Sequence, residues 1–230
     1  MQPDYLTPLL GIQGFRVVAV DQIGARPGRG IVRLHLERTR EDYICGGCRH
    51  IVSQGYDHTW QELRHLTWWH HQTALRFQRY RVDCPRCGVC TEALDFADVR
   101  GPRVTRALSA LVMELCKVMA VKAAAALLGL DRKTVRNIDK SAVEAVQAER
   151  PLDGITVLGC DEVGIGKGRN KLWTLFSALE GPRGPEMLHI VEGHSEKKLR
   201  RFWRWFGKDR AALITHAVMD MCRTFENSFR

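Results

Sequence analysis

The stretch VKAAAALLGLDRKTVRNIDK, residues 121–140, reads as two helices joined by a tight turn. Val121 to Leu128 is a compact first helix. Gly129, Leu130 and Asp131 make the turn, and Asp131 is placed to cap the second helix. That helix opens Arg132-Lys133-Thr134-Val135-Arg136-Asn137, with polar and cationic side chains near its start. Small alanines at the crossing let the helices approach closely, and Val135 and Ile138 are spaced to pack on the first helix. A recognition helix needs this composition, because its N-terminal residues face base edges or phosphates. Arg132, Lys133, Thr134 and Arg136 are therefore the candidate DNA contacts. An ordinary amphipathic helix pair is the plainer alternative.

The charge around this stretch favours DNA. The 230 residues carry a formal net charge of +9 and a sequence pI near 9.4. Residues 101–150 hold nine Lys/Arg against five Asp/Glu, whereas residues 51–100 balance at six each. A basic surplus suits a polyanion, and counterion release from phosphates supplies affinity. An apolar content of 45% supports packed cores and argues against global disorder. No run of eighteen apolar residues predicts a membrane span. The first fourteen residues lack the features of an export signal, which predicts a mature, cytoplasmic protein.

Upstream, Cys45-Gly-Gly-Cys48 and Cys84-Pro-Arg-Cys87 each place two thiols on a tight turn. Two such turns facing each other form the tetrahedral sulfur set that structural zinc prefers. The predicted Zn ligands are Cys45, Cys48, Cys84 and Cys87; four buried free thiols are the alternative. Cys90 is close enough in sequence to compete, and His50, His58, His65, His70 and His71 are in range. The insert from Arg49 to Asp83 must form its own hairpin, with Ala74 to Val82 as a strand and Leu75 and Phe77 on one side. Strands are also expected at Ile12 to Val20 and Gly30 to Leu36, around a turn at Gly24 to Gly30. Exposed aromatics of the kind an RNA-binding surface uses are not evident, and Trp68-Trp69 and Trp203-Trp205 read as packing residues.

Downstream, Glu149 to Gly154 is a linker, and the pattern becomes strand-like. Runs at Ile155 to Cys160, Lys171 to Leu179 and Met187 to Val191 are followed by a helix capped by Ser195 and a fourth strand, Leu213 to Met219. Asp161 ends the first strand and Asp220 the fourth. If those strands are neighbours, the two carboxylates converge. Carboxylates meeting at one point hold the Mg²⁺ or Mn²⁺ ions of phosphodiester chemistry. Glu162 would face the other way, and Lys167, Arg169 and Lys171 form a basic turn between the first two strands, a solvated turn placed to touch a phosphate. The expected architecture is multidomain α+β: a small zinc-ribbon-like β domain over 1–98, an α-helical helix-turn-helix region over 101–150, and a partial α/β domain over 154–230.

The ordered set resembles the bacterial insertion-sequence transposases of the IS-L-three type. The two cysteine pairs look like that family's zinc-binding N-terminus, and Val121 to Ala142 like its helix-turn-helix. Leu158-Gly-Cys-Asp161-Glu162 followed by Lys167-Gly168 resembles the start of its DDE domain, and Val218-Met-Asp220-Met221 its second acidic motif. The resemblance implies an RNase H-like fold for 154–230 and a transposase that binds double-stranded DNA at element ends. Water, then a DNA 3′-hydroxyl, would attack phosphodiester bonds with Mg²⁺ or Mn²⁺ as cofactor, beside the structural Zn. Asp161 and Asp220 match the first two catalytic acids. The family's third acid lies further downstream, so the implied product is C-terminally truncated and inactive alone. A DNA-binding repressor or regulator derived from a transposase is the alternative. The oligomeric state stays open, a homo-oligomer being one option.

Overall fold

A computed structural model describes residues 5–24, 30–68, 71–164, 172–220 and 222–229. The chain divides into two compact units, Met1–Ala148 and Glu149–Arg230, so residues 1–98 and 101–148 fall in the first unit. No helix among the described residues is long and apolar enough to cross a membrane.

The first unit runs α1 (Leu6–Leu10), β1 (Phe15–Ile23), β2 (Ile31–Arg38), β3 (Tyr43–Ile44), β4 (Ile51–Val52), β5 (Gly55–Trp68), β6 (His71–Cys84), β7 (Gly88–Thr91), α2 (Arg106–Val118), α3 (Val121–Leu128) and α4 (Arg132–Ala148). Its main sheet has the order β1-β2-β6-β5, with β7 pairing the far end of β6. Period-two alternation buries Val32, Leu34 and Leu36 on one face of β2, and register sets Leu34 beside Leu75 of parallel β6. Phe15, Phe77 and Phe96 close that core edge to face, with centroids 5.2–5.8 Å apart.

The strand expected at Ile12 to Val20 starts later, at Phe15. Gly11 and Gly14 both adopt positive φ, and that turn occupies the residues before the strand. The hairpin in the insert is longer than the pattern predicted. β5 pairs β6 antiparallel from Gly55↔Val82 to Trp68↔His71. Most of β5 is polar because one of its faces meets solvent, so its alternation is faint. Tyr56 and Trp60 are more than half exposed on it, beneath the guanidinium groups of Arg81 and Arg76, where the pattern suggested no exposed aromatics.

The second unit runs β8 (Val157–Gly164), β9 (Leu172–Glu180), β10 (Glu186–Glu192), α5 (Glu196–Phe206), α6 (Lys208–Ala211), β11 (His216–Met219) and α7 (Arg223–Phe229). The sheet order is β10-β9-β8-β11, antiparallel except for the parallel pair β8 and β11. Leu158, Cys160, Phe176, Ala178, Leu188 and Val191 on one sheet face pack against Leu199, Phe202, Phe206 and Phe225. Ser195 sits at the start of α5 and its carbonyl accepts from Leu199, but its hydroxyl makes no capping bond. Asp161 is not the last residue of its strand, as the apolar run suggested. Antiparallel pairing continues from Asp161↔Leu175 to Gly164↔Leu172, and this ladder carries the strand past the end of the apolar residues. Trp69, His70, residues 25–29, Lys167 with Gly168, Arg169, Lys171 and Met221 lie outside the described residues.

Candidate functional site

The two cysteine turns meet. The Sγ atoms of Cys45, Cys48, Cys84 and Cys87 all lie within 4.8 Å of one another. Sulfurs around a zinc ion at Zn–S of about 2.3 Å stand about 3.8 Å apart at tetrahedral corners, so this donor set fits zinc. Folding brings the turns together through β6. β3 and β4 form the small hairpin that carries Cys45 and Cys48, while β6 runs directly into Cys84. Cys45 donates its amide to His50 O at 2.8 Å, and Gly46 donates to Thr91 O at 3.1 Å, which ties the first turn to the end of β7. Gly46 has no room for a side chain: a Cβ there would lie 2.3 Å from Thr91 O.

The thiols are electrostatically unequal. Backbone hydrogen bonding at Cys48, aided by the Cys90 thiol and the Gly47 amide, lowers the Cys45 pKa to about 6 against the opposing effect of burial. The neighbouring Cys48 thiol, with burial and Cys45, pushes Cys87 up to about 12. One thiolate forms readily and discourages the next, so a bound cation would be needed to hold four of them together. Cys90 stands just outside the set, its Sγ 3.2 Å from that of Cys45. None of the described histidines joins the cluster. His65 bonds Thr105 Oγ1 at 2.9 Å and His58 lies against the Tyr80 ring.

The helix pair follows from its local sequence. Gly129 takes φ 60°, and Leu130 N reaches back to Ala125 O at 3.0 Å, which closes α3. Asp131 Oδ1 accepts from Lys133 N at 2.8 Å and Thr134 N at 3.3 Å, which caps the start of α4. Val135 and Ile138 are buried with Ala124, Ala125 and Leu128. That rotation leaves Arg132, Lys133 and Arg136 exposed and Thr134 half-buried. Beside α4 runs an open cleft of about 940 Å³, lined among others by Arg100, Arg106, Lys133, Asn137 and Lys140.

Two supporting residues escaped the sequence reading. Arg64 of β5 donates to Leu128 O at 3.2 Å and to Gly129 O at 3.4 Å, and it holds Gln72 Oε1 at 2.6 Å. A Cβ on Gly129 would lie 2.2 Å from Gln72 Nε2, so the turn is pressed against the sheet. A polar residue at a half-buried strand position carries no periodic signature. The second is Glu92, which is fully buried. It accepts from the Arg38 guanidinium and, at 2.9 Å, from Tyr80 N.

In the second unit β8 and β11 are direct neighbours, with Met219 opposite Cys160. Asp161 and Asp220 are the residues that follow this last pair on the two segments, and both are exposed. Asp161 Oδ1 accepts from Glu162 N at 2.8 Å. Glu162 alternates to the other face, where its carboxylate is 3.9 Å from His194 Nδ1.

No curated protein and no solved structure matches the chain. Residues 92–143 match the family model described as the helix-turn-helix domain of transposase family ISL3. That segment, from buried Glu92 to Val143 in α4, is similar to a transposase helix-turn-helix, a module of the kind that binds DNA.

Proposed function

We propose that this protein is a transposase-related DNA-binding protein that recognises the ends of an insertion sequence. In this reading the first half of α4 enters the major groove, with Arg132, Lys133, Thr134 and Arg136 on bases and phosphates. The observation that carries it is the exposed cationic start of α4, capped by Asp131, within the segment matching a transposase helix-turn-helix. A structural zinc ion on Cys45, Cys48, Cys84 and Cys87 would hold the hairpin ends behind it. The test is fluorescence anisotropy of the zinc-loaded chain on duplexes carrying the element ends and on scrambled duplexes. Tighter binding to the ends supports the reading, and equal binding to both sequences overturns end recognition.

The second unit extends the proposal to phosphodiester chemistry in an RNase H-like domain. Support comes from the β8–β11 pairing, whose last pair, Met219 and Cys160, immediately precedes Asp220 and Asp161. Those two carboxylates would hold Mg²⁺ or Mn²⁺, which supplies charge stabilisation to attacking and leaving oxygens when bound. The chain's part is to mount the carboxylates on rigid strands and leave their side of the sheet open. A strand-transfer assay with Mg²⁺ tests this part: products lost in Asp161→Asn support it, and DNA binding with no cleavage leaves the regulator reading.

A further inference from the structure

Helix α5 reads EKKLRRFWRWF, and its two sides have opposite chemistry. Leu199, Phe202 and Phe206 are fully buried, and the Phe202 ring stacks on Phe176 with centroids 3.7 Å apart. The opposite side exposes Lys197, Arg200, Arg201 and Arg204, continued past the helix end by Lys208. Intervals of three and four residues align Lys197, Arg200, Arg201 and Arg204 in one stripe, with neighbours about 5–6 Å apart at Cβ. Within α5, from Lys197 to Arg204, the stripe is on the order of 11 Å long at a rise of about 1.5 Å per residue. It edges a shallow cavity of about 670 Å³ lined by Lys197, Arg200, Trp203, Arg204, Gly207 and Lys208.

The surrounding charges do not neutralise it. Residues 196–210 hold seven Lys/Arg and two Asp/Glu. Glu196 accepts from Asn227, and Asp153 is taken by Arg210. None of the five stripe cations has a carboxylate partner among the described residues. Like charges at these intervals repel one another, and a polyanion relieves that repulsion.

We propose that the α5 stripe is a second DNA contact, which grips the phosphate backbone without reading sequence. A basic amphipathic helix also suits a membrane surface or a helix-binding groove, but both engage the apolar side. Here that side is the core of the unit, so only the charged side is available. A row of regularly spaced cations matches a regularly charged backbone. The observation is independent of the helix-turn-helix.

The experiment measures binding of the full zinc-loaded chain to a random-sequence duplex across a salt series. The triple variant Lys197→Gln, Arg200→Gln, Arg204→Gln is compared with Arg16→Gln, Lys117→Gln, Arg183→Gln, which removes the same charge elsewhere. The stripe variant is expected to unfold at the wild-type temperature, to bind at least tenfold more weakly, and to lose about three from the slope of log K against log salt. An equal loss in both variants, or an unchanged slope, overturns the proposal, as does tighter binding of polyglutamate or duplex RNA than of DNA. Loss in the stripe variant with no loss in Arg132→Ala, Arg136→Ala would sink the helix-turn-helix reading and leave this one standing.

Discussion

Arg64, in the middle of β5, donates its guanidinium to the carbonyl of Leu128, the last residue of α3. The C-terminal carbonyls of a helix have no partner within it, and a cation placed there satisfies both a hydrogen bond and the helix dipole. The sheet that ends in the cysteine turns therefore caps the first helix of the helix-turn-helix. One compact unit carries the four-cysteine cluster and the helix proposed to face DNA.

Replacing Arg64 with Met keeps the stem and removes the fork. Hydrogen bonds from a charged donor contribute about 1.5–3 kcal/mol each, so Arg64→Met should lower stability by an amount of that order. Chemical denaturation measures it. Amide exchange at Gly129 and Leu130 should rise in the same variant, and unchanged protection there would remove Arg64 from this role.

Cys45→Ser together with Cys84→Ser takes one thiol from each turn. Zinc retention after gel filtration should fall from a single equivalent to none, and the first hundred residues should lose their fold. Retained metal would refute the ligand set. Cys90→Ser should keep full zinc, since Cys90 lies outside the four.

Acid should release the metal. The pKa of Cys45 is lowered to about 6, so its thiolate is present above that value and lost as pH falls through it. Protons then compete with zinc. A colorimetric zinc chelator should report release beginning near that pH; release only far below it would mean that the bound ion holds the thiolate more strongly than the backbone hydrogen bonds do.

Glu92 and Arg38 form a pair in which the carboxylate is wholly buried. Removing one partner of a buried pair costs about 3–5 kcal/mol, because the other charge is left uncompensated. Glu92→Ala should therefore lower the stability measured by chemical denaturation by about that amount, and a loss of only a few tenths of a kcal/mol would contradict the account. The Arg38 fork also lies 4.4 Å from the Tyr43 ring centroid, beside the cysteine turns, so zinc affinity should drop as well.

The helix proposed to face DNA makes a separable prediction. Arg132→Ala with Arg136→Ala should weaken binding and reduce the salt slope by about two. Fluorescence anisotropy on one duplex at several salt concentrations checks it, and an unchanged slope would move the DNA contacts elsewhere.

Local chemistry was legible wherever one short segment contains all its causes. The cap at Asp131, the turn at Gly129, the apolar face of α5 and both Cys-x-x-Cys turns follow from residues within a few positions of each other. The strand β5 was hard to read because its outer face is solvated, and a solvated face erases half of the alternation. The end of β8 was misplaced because hydrogen bonding to β9, not hydrophobicity, sustains its last residues.

Sequence alone determined the helix pair, the cysteine turns and the basic surplus, since torsional preference, capping and charge act over short range. Tertiary structure alone decided that Arg64 of one strand closes a helix 64 residues away, that the four thiols of the two Cys-x-x-Cys turns cluster, and that β11 lies against β8. Those are pairings between distant segments, and the energy that selects them exists only after the chain has brought the partners together.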